Sequence, residues 1–175
     1  MKKSGFKLYF CLIFSLSLTS CSEQNFPEPS CRVNANFSSD RTGAAACVVV
    51  LNKKLLAIQL KDKSYGLAIS NADSNSAQCN AHSAMWLETG LNVEVGPVLA
   101  IQKDGTWLFS CETSAGFVGT ESPFPAPEWS AKETENLAFI DPFLIRIEDW
   151  HIPEHFITSR DAYVLEVSRK ENKKD

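Results

Sequence analysis

Hydrophobic positions along the chain fall into short runs broken by polar turns, with two stretches of helical spacing. Residues 44–51 (AAACVVVL) and 55–60 (LLAIQL) are apolar runs of strand length. Asn52-Lys53-Lys54 between them suits a tight turn, so the pair reads as a β-hairpin. Residues 61–75 are polar and loop-like, interrupted by Tyr65-Gly66-Leu67-Ala68-Ile69. A helix is predicted over 76–89, with Ala77, Ala81, Ala84 and Met85 as a compact apolar face. Ser74 or Ser76 can accept from its first free N–H groups. Gly90 suits the left-handed stop, with Leu91 as its apolar partner. Three strands are predicted next, at 91–95, 98–102 and 106–112, with Asp104-Gly105 as a turn. Pro123, Pro125 and Pro127 mark an exposed loop, and the strand at 137–140 ends at Asp141-Pro142. The stretch 159–170 reads as a last amphipathic helix, with Phe156, Tyr163, Val164 and Val167 on one face. Strands and helices interleave, which predicts an α/β fold with a central mixed sheet and helices against it.

The first residues follow a different pattern. Lys2, Lys3 and Lys7 precede an apolar run at 8–18 that is too short to anchor in a bilayer, where ~20 residues are needed. A basic start and a short apolar stretch read as a secretory signal. Leu18-Thr19-Ser20-Cys21 resembles the lipobox of bacterial lipoproteins, which implies cleavage before Cys21 and lipidation of its thiol. Two or three acyl chains, at ~0.8 kcal/mol per buried methylene, hold a protein on a membrane where one does not. The alternative is an ordinary secretory signal with a neighbouring cysteine. Ser22 after the cysteine, by the same resemblance, implies an outer-membrane lipoprotein facing the periplasm in a Gram-negative host. The expected organisation is a signal at 1–20, a Ser-, Asn- and Pro-rich tether at 21–40, a domain at 41–170 and a charged tail at 171–175.

Processing changes the charge and the cysteine inventory. The whole chain has 17 basic and 21 acidic residues, a net charge of −4. The signal takes away three lysines and no acids, which leaves an acidic chain of 155 residues at −7. That balance gives no reason to expect a nucleic-acid partner. Six cysteines reduce to four once Cys11 leaves and Cys21 is lipidated. Cys31, Cys47, Cys79 and Cys111 then suggest two disulfides among three possible connectivities. The expected pairing is Cys31 with Cys47, stapling the tether, and Cys79 with Cys111. A zinc site is the alternative, although no C-x2-C spacing supports it.

The segment from Tyr65 to Leu91 resembles the Nudix family of diphosphate hydrolases. Leu87-Glu88-Thr89-Gly90-Leu91 matches the closing E-E-T-G-L of that family's signature in all but its first residue. Tyr65-Gly66-Leu67-Ala68-Ile69-Ser70 is similar to its W-G-L-P-G-G opening, and Phe139-Ile140-Asp141-Pro142 to its V-D-P turn. The likeness spans about residues 41 to 168. It implies a Nudix-like mixed β-sheet sandwiched between helices, and a magnesium ion held by three carboxylates at i, i+3 and i+4 on one helix face. Those positions are Ala84, Leu87 and Glu88 here, so one carboxylate remains. The signature arginine is Ser83, Ile69-Ser70 replaces the Gly-Gly pair, and the loop from Ser70 to Cys79 is one residue short.

Glu88 is thus the catalytic candidate that the resemblance points to, and Glu88 with Glu112 the candidate metal ligands. Asp73, Glu121, Glu133 and Glu135 are the other acids in flanking segments. His151 and His155 are four apart, but Pro153 between them argues against one helix presenting both. His82 and Trp86 share a helix flank, and Trp107, Trp129 and Trp150 read as core or rim residues. No G-x-S-x-G elbow supports a serine hydrolase. The leading expectation is a membrane-anchored lipoprotein whose diphosphatase site has decayed. It would be a binding or interaction module with no resident cofactor and an unidentified protein or small-molecule ligand. An active hydrolase with a rearranged, magnesium-dependent site is the second reading, and a structural lipoprotein of unrelated fold the third.

Overall fold

A computed structural model of the chain describes residues 27–71, 75–114, 117, 123–130 and 134–173. The expected signal at 1–20 and Cys21 lie outside them, as do Asp73, Ser74, Glu121 and Glu133. Nine strands and two α-helices follow in order among the described residues. They are β1 (Ala45–Val48), β2 (Val50–Leu51), β3 (Lys54–Leu60), β4 (Tyr65–Gly66), β5 (Ile69–Ser70), α1 (Ala77–Thr89), β6 (Glu94–Ile101), β7 (Trp107–Glu112), β8 (Phe124–Pro125), β9 (Thr134–Ile140) and α2 (Phe156–Asn172). One sheet has the order β5-β1-β7-β6, and the other β2-β3-β9-β8 with β4 beside β3. β1 runs parallel to β7, while every other strand pair is antiparallel.

Period-two alternation explains why helices cover both faces. Ala45, Cys47 and Val49 join one core with Leu56, Ile58, Phe109 and Phe139, against Ala77, Ala81, Ala84 and Met85 of α1. The intervening Ala46, Val48 and Val50 join a second core with Leu55, Leu108 and Ile140, against Phe156, Ala162 and Tyr163 of α2. A strand buried on both faces reads as a continuous apolar run, as 44–51 does. That run is not one arm of a hairpin. It breaks at Val49, with β1 in the first sheet and β2 paired to β3 in the second. The hairpin turn itself is the expected tight one, with Asn52 and Lys53 at φ of 50° and 58°.

The predicted helix over 76–89 is α1. The Ser76 hydroxyl accepts from the Cys79 N–H, and Gly90 ends the helix at φ of 70°. Any Cβ at Gly90 would stand 3.0 Å from Pro127 and 3.1 Å from Trp129, so conformation and space both require glycine. The strands expected at 91–95 and 98–102 form one strand, β6, whose register shifts between Val95 and Val98. Pro97 has no N–H to give to the ladder there, which localises the irregularity. The final helix buries Phe156, Ser159, Ala162, Tyr163 and Glu166, so Val164 lies off that face and is exposed. Among the described residues no helix is long and apolar enough to cross a membrane.

The disulfides join Cys31 to Cys79 and Cys47 to Cys111, with Cα separations of 5.3 and 5.5 Å. All four candidates are paired, but with different partners from those expected. The reason is tertiary. Cys47 and Cys111 sit on neighbouring parallel strands, Cys47 facing Phe109 in the register. The expected tether runs beside β6 instead, with Val33 bridging Val95. The Asn34 N–H donates to the Val95 carbonyl, and the Val95 N–H to the Arg32 carbonyl. That course carries Cys31 over the first turn of α1. From there the segment is bound to the domain: the Gln78 amide donates to the Phe37 carbonyl and accepts from the Ser39 N–H.

Candidate functional site

Residues of both sheets, the last turn of α1 and the loop before α2 surround a half-open cleft of about 550 Å³. Ile58 and Leu60 of β3, Leu67, Ile69 and Ile152 form its apolar surface. Asp62, Glu88 and Asp104 supply carboxylates, His151 and His155 imidazoles, and Ser70, Thr106 and Thr134 hydroxyls.

Local structure aims each group. Glu88 reaches the cleft from the C-terminal turn of α1, where its carboxylate accepts a hydrogen bond from the Thr134 hydroxyl of β9. Asp62 caps the turn after β3 by accepting from the Ser64 hydroxyl and N–H at 2.5 and 2.9 Å, which holds its carboxyl below the usual aspartate range. Asp104 sits in the β6–β7 turn. Burial works against its charged form, but the Thr106 N–H and then His155 outweigh that, and its pKa is lowered. His155 begins α2 with its side chain 8% exposed, its Nε2 3.0 Å from Asp104 Oδ2 and its Nδ1 without a hydrogen-bond partner. His151 is fixed by its backbone N–H, which donates to the Tyr65 carbonyl at 2.8 Å. Asp62, Asp104 and Thr134 carry no local signal of a site in the sequence. Asp104 and His155 meet only because the β6–β7 turn packs against the start of α2.

Glu88 and Glu112 are not brought together. Glu112 ends β7 outside the cleft and accepts from Arg169 at 3.0 Å and Lys173 at 2.9 Å. These contacts, Lys173 first, hold its carboxyl below the usual glutamate range. Across the ladder it faces Glu94, a like charge with its own cation, Arg32 at 3.7 Å, and a hydrogen bond from the Asn34 amide. Glu135 pairs with Lys63. Of the other two metal-ligand positions, Ala84 is buried and Leu87 is exposed to solvent. His82 is fully buried and bonds Asn92 at 3.0 Å, while Trp86 packs against Trp129 at 5.7 Å between centroids. Trp150 is core, as expected, and Trp107 donates to the Thr42 carbonyl beneath Arg41.

Solved structures share this fold. An ADP-ribose pyrophosphatase from Streptococcus suis superposes with a TM-score of 0.55 at 19% identity, over 72% of this chain and 90% of that one. A Nudix hydrolase from Nitrosomonas europaea gives 0.51 at 13% identity, over 71% and 89%. The domain has the Nudix fold. A UDP-X diphosphatase gives 0.51 at 14% identity, over 73% of this chain and 64% of that one. At these identities the likeness is one of fold. No protein-family model matches the sequence, and no curated protein matches it closely.

The Nudix-like fold raises the question of magnesium. A hard divalent ion takes several oxygens in near-octahedral geometry. The helix face offers Glu88 alone, and among the described residues no three His, Cys, Asp or Glu side chains gather as a metal group. The described donor set does not fit the ion.

Proposed function

We propose that this chain is a membrane-anchored lipoprotein, lipidated at Cys21, whose Nudix-like domain is a non-catalytic binding module. In a Gram-negative host it stands on the outer membrane and faces the periplasm. The observation that carries the reading is that Glu88 is the one carboxylate of α1. Its two companion positions on α1 are Ala84 and Leu87, and its own carboxylate rests on Thr134. Diphosphate hydrolysis on such a helix needs a metal to neutralise the phosphates and to activate water. One carboxylate does not assemble that centre. The cleft, about 550 Å³ with a mixed polar and apolar lining, supports a binding role.

The test is an activity panel on the processed protein. With millimolar Mg²⁺ or Mn²⁺, nucleoside diphosphate derivatives such as ADP-ribose and UDP-sugars are expected to remain intact, and calorimetry to show no heat of Mg²⁺ binding. Metal-dependent turnover that disappears in Glu88→Gln overturns the reading.

A further inference from the structure

The geometry points to a small organic cation, an amine or amidine carried on an apolar body, as the ligand class of this cleft. This inference rests on the cleft being a binding site, as proposed above. Three features carry it. First, Asp62, Glu88 and Asp104 all line the cleft, and among the described residues none of them pairs with a lysine or arginine. Outside the cleft, among the described residues, Glu94, Glu112, Glu135, Asp149 and Glu166 each have a cation, while Asp40, Asp141, Glu154 and Asp161 stand at the surface without one. Lys61 is the one lysine or arginine among the lining residues, and it is exposed. An anionic diphosphate entering without a metal meets like charge, while an ammonium group meets opposite charge.

Second, His155 is nine-tenths buried in the cleft wall and half satisfied. Its Nε2 lies 3.0 Å from Asp104 Oδ2, and its Nδ1 has no hydrogen-bond partner. A buried nitrogen left unpaired is completed by a polar partner, and an amine or amidine brings one beside its charge. Third, Ile58, Leu60, Leu67, Ile69 and Ile152 give an apolar surface that no inorganic cation uses. The combination selects an amphipathic cation over a metal ion and over a phosphate.

Two probes with one ring and opposite charge test the inference: phenethylamine and 3-phenylpropionate. Each is titrated at low salt into the isotope-labelled processed protein, followed by amide chemical shifts. Phenethylammonium is expected to bind at least about tenfold more tightly, with shifts centred on residues 58–71, 104–106 and 151–155. The variant carrying Asp104→Asn with Glu88→Gln should lose about tenfold of that affinity and keep its affinity for the anion or raise it. Equal affinity for the two probes, preference for the anion, or no shift in the cleft overturns the inference. The probe ratio on the unaltered protein separates these outcomes even if the variant fails to fold. The result is also separable from that of the activity panel. Turnover overturns the non-catalytic reading and leaves the probe ratio standing. A ratio near one without turnover removes the cation and leaves a non-catalytic module.

Discussion

The two helices treat charge in opposite ways. α2 buries Glu166 completely and surrounds it with cations. Arg169 donates to it from Nε and Nη2, both at 2.8 Å, and Lys170 Nζ lies 3.6 Å away. The Glu166 carboxylate holds the Arg169 guanidinium more firmly protonated than an ordinary arginine, against the desolvation that opposes it. Arg169 then bridges to Glu112 on β7, so the network docks the end of α2 on the sheet. α1 carries one carboxylate, Glu88, and presents it to the cleft with a neutral hydroxyl as partner. A carboxylate in the interior persists only with its charge answered by neighbours, which commits it to structure. One at a cleft wall with a single neutral partner stays available to a ligand. The fold places the two helices on either side of the sheets, and of their carboxylates Glu88 faces the cleft while Glu166 is committed to the ion network.

That contrast can be broken most forcefully at Glu166. Glu166→Ala leaves Arg169 part-buried beside an empty site, and should cost about 3–5 kcal/mol, lowering Tm by roughly 10 °C. Thermal denaturation followed by circular dichroism measures it. A loss under about 1 kcal/mol would mean that Glu112 alone satisfies Arg169, and the helices would then differ less than their geometry indicates.

Acid titration probes the same network more gently. Contacts with Lys173 and Arg169 lower the folded-state pKa of Glu112. Its contribution is therefore complete above the unfolded glutamate value, about 4.3, and disappears as pH falls through the lower folded value. Because Glu112 is half exposed, the effect should stay under about 1 kcal/mol. Melting curves from pH 7 to pH 3 should fall less steeply for Glu112→Gln than for the unaltered chain. Identical curves would remove the ion cluster from the account of acid stability.

The smallest effect belongs to the helix that resembles a catalytic one. Glu88→Gln keeps a hydrogen-bonding side chain beside Thr134 and should change stability by no more than about 0.5 kcal/mol. Denaturant unfolding checks this. A loss near that of Glu166→Ala would show Glu88 to be a structural residue and erase the distinction between the two helices.

Much of the fold was legible in the chain because local rules act locally. Ser76, the small apolar face of α1 and Gly90 announce a helix with both its ends, and Asn52-Lys53 announces a turn. The apolar run 44–51 was harder to read. Burial on two faces removes the alternation that separates one long strand from two short strands in different sheets. The cleft was half legible. Glu88 was found through the resemblance of residues 87–91 to the Nudix signature, whereas Asp62, Asp104 and Thr134 look like ordinary turn or strand residues until the chain folds. Glu112 misled because the end of a strand says nothing about which neighbour claims the side chain, and α2 brings Arg169 and Lys173 to it.

What the sequence determined by itself was composition and spacing: which helix positions lack carboxylates, which residues cap and stop α1, and how many cysteines there are to pair. Spacing on a helix is a property of the backbone and needs no partner. The disulfide connectivity, the docking of residues 31–39, the pairing of Asp104 with His155 and the burial of Glu166 were decided by the tertiary structure. Each joins residues far apart in the chain, and only the packing of strands and helices against one another fixes such distances.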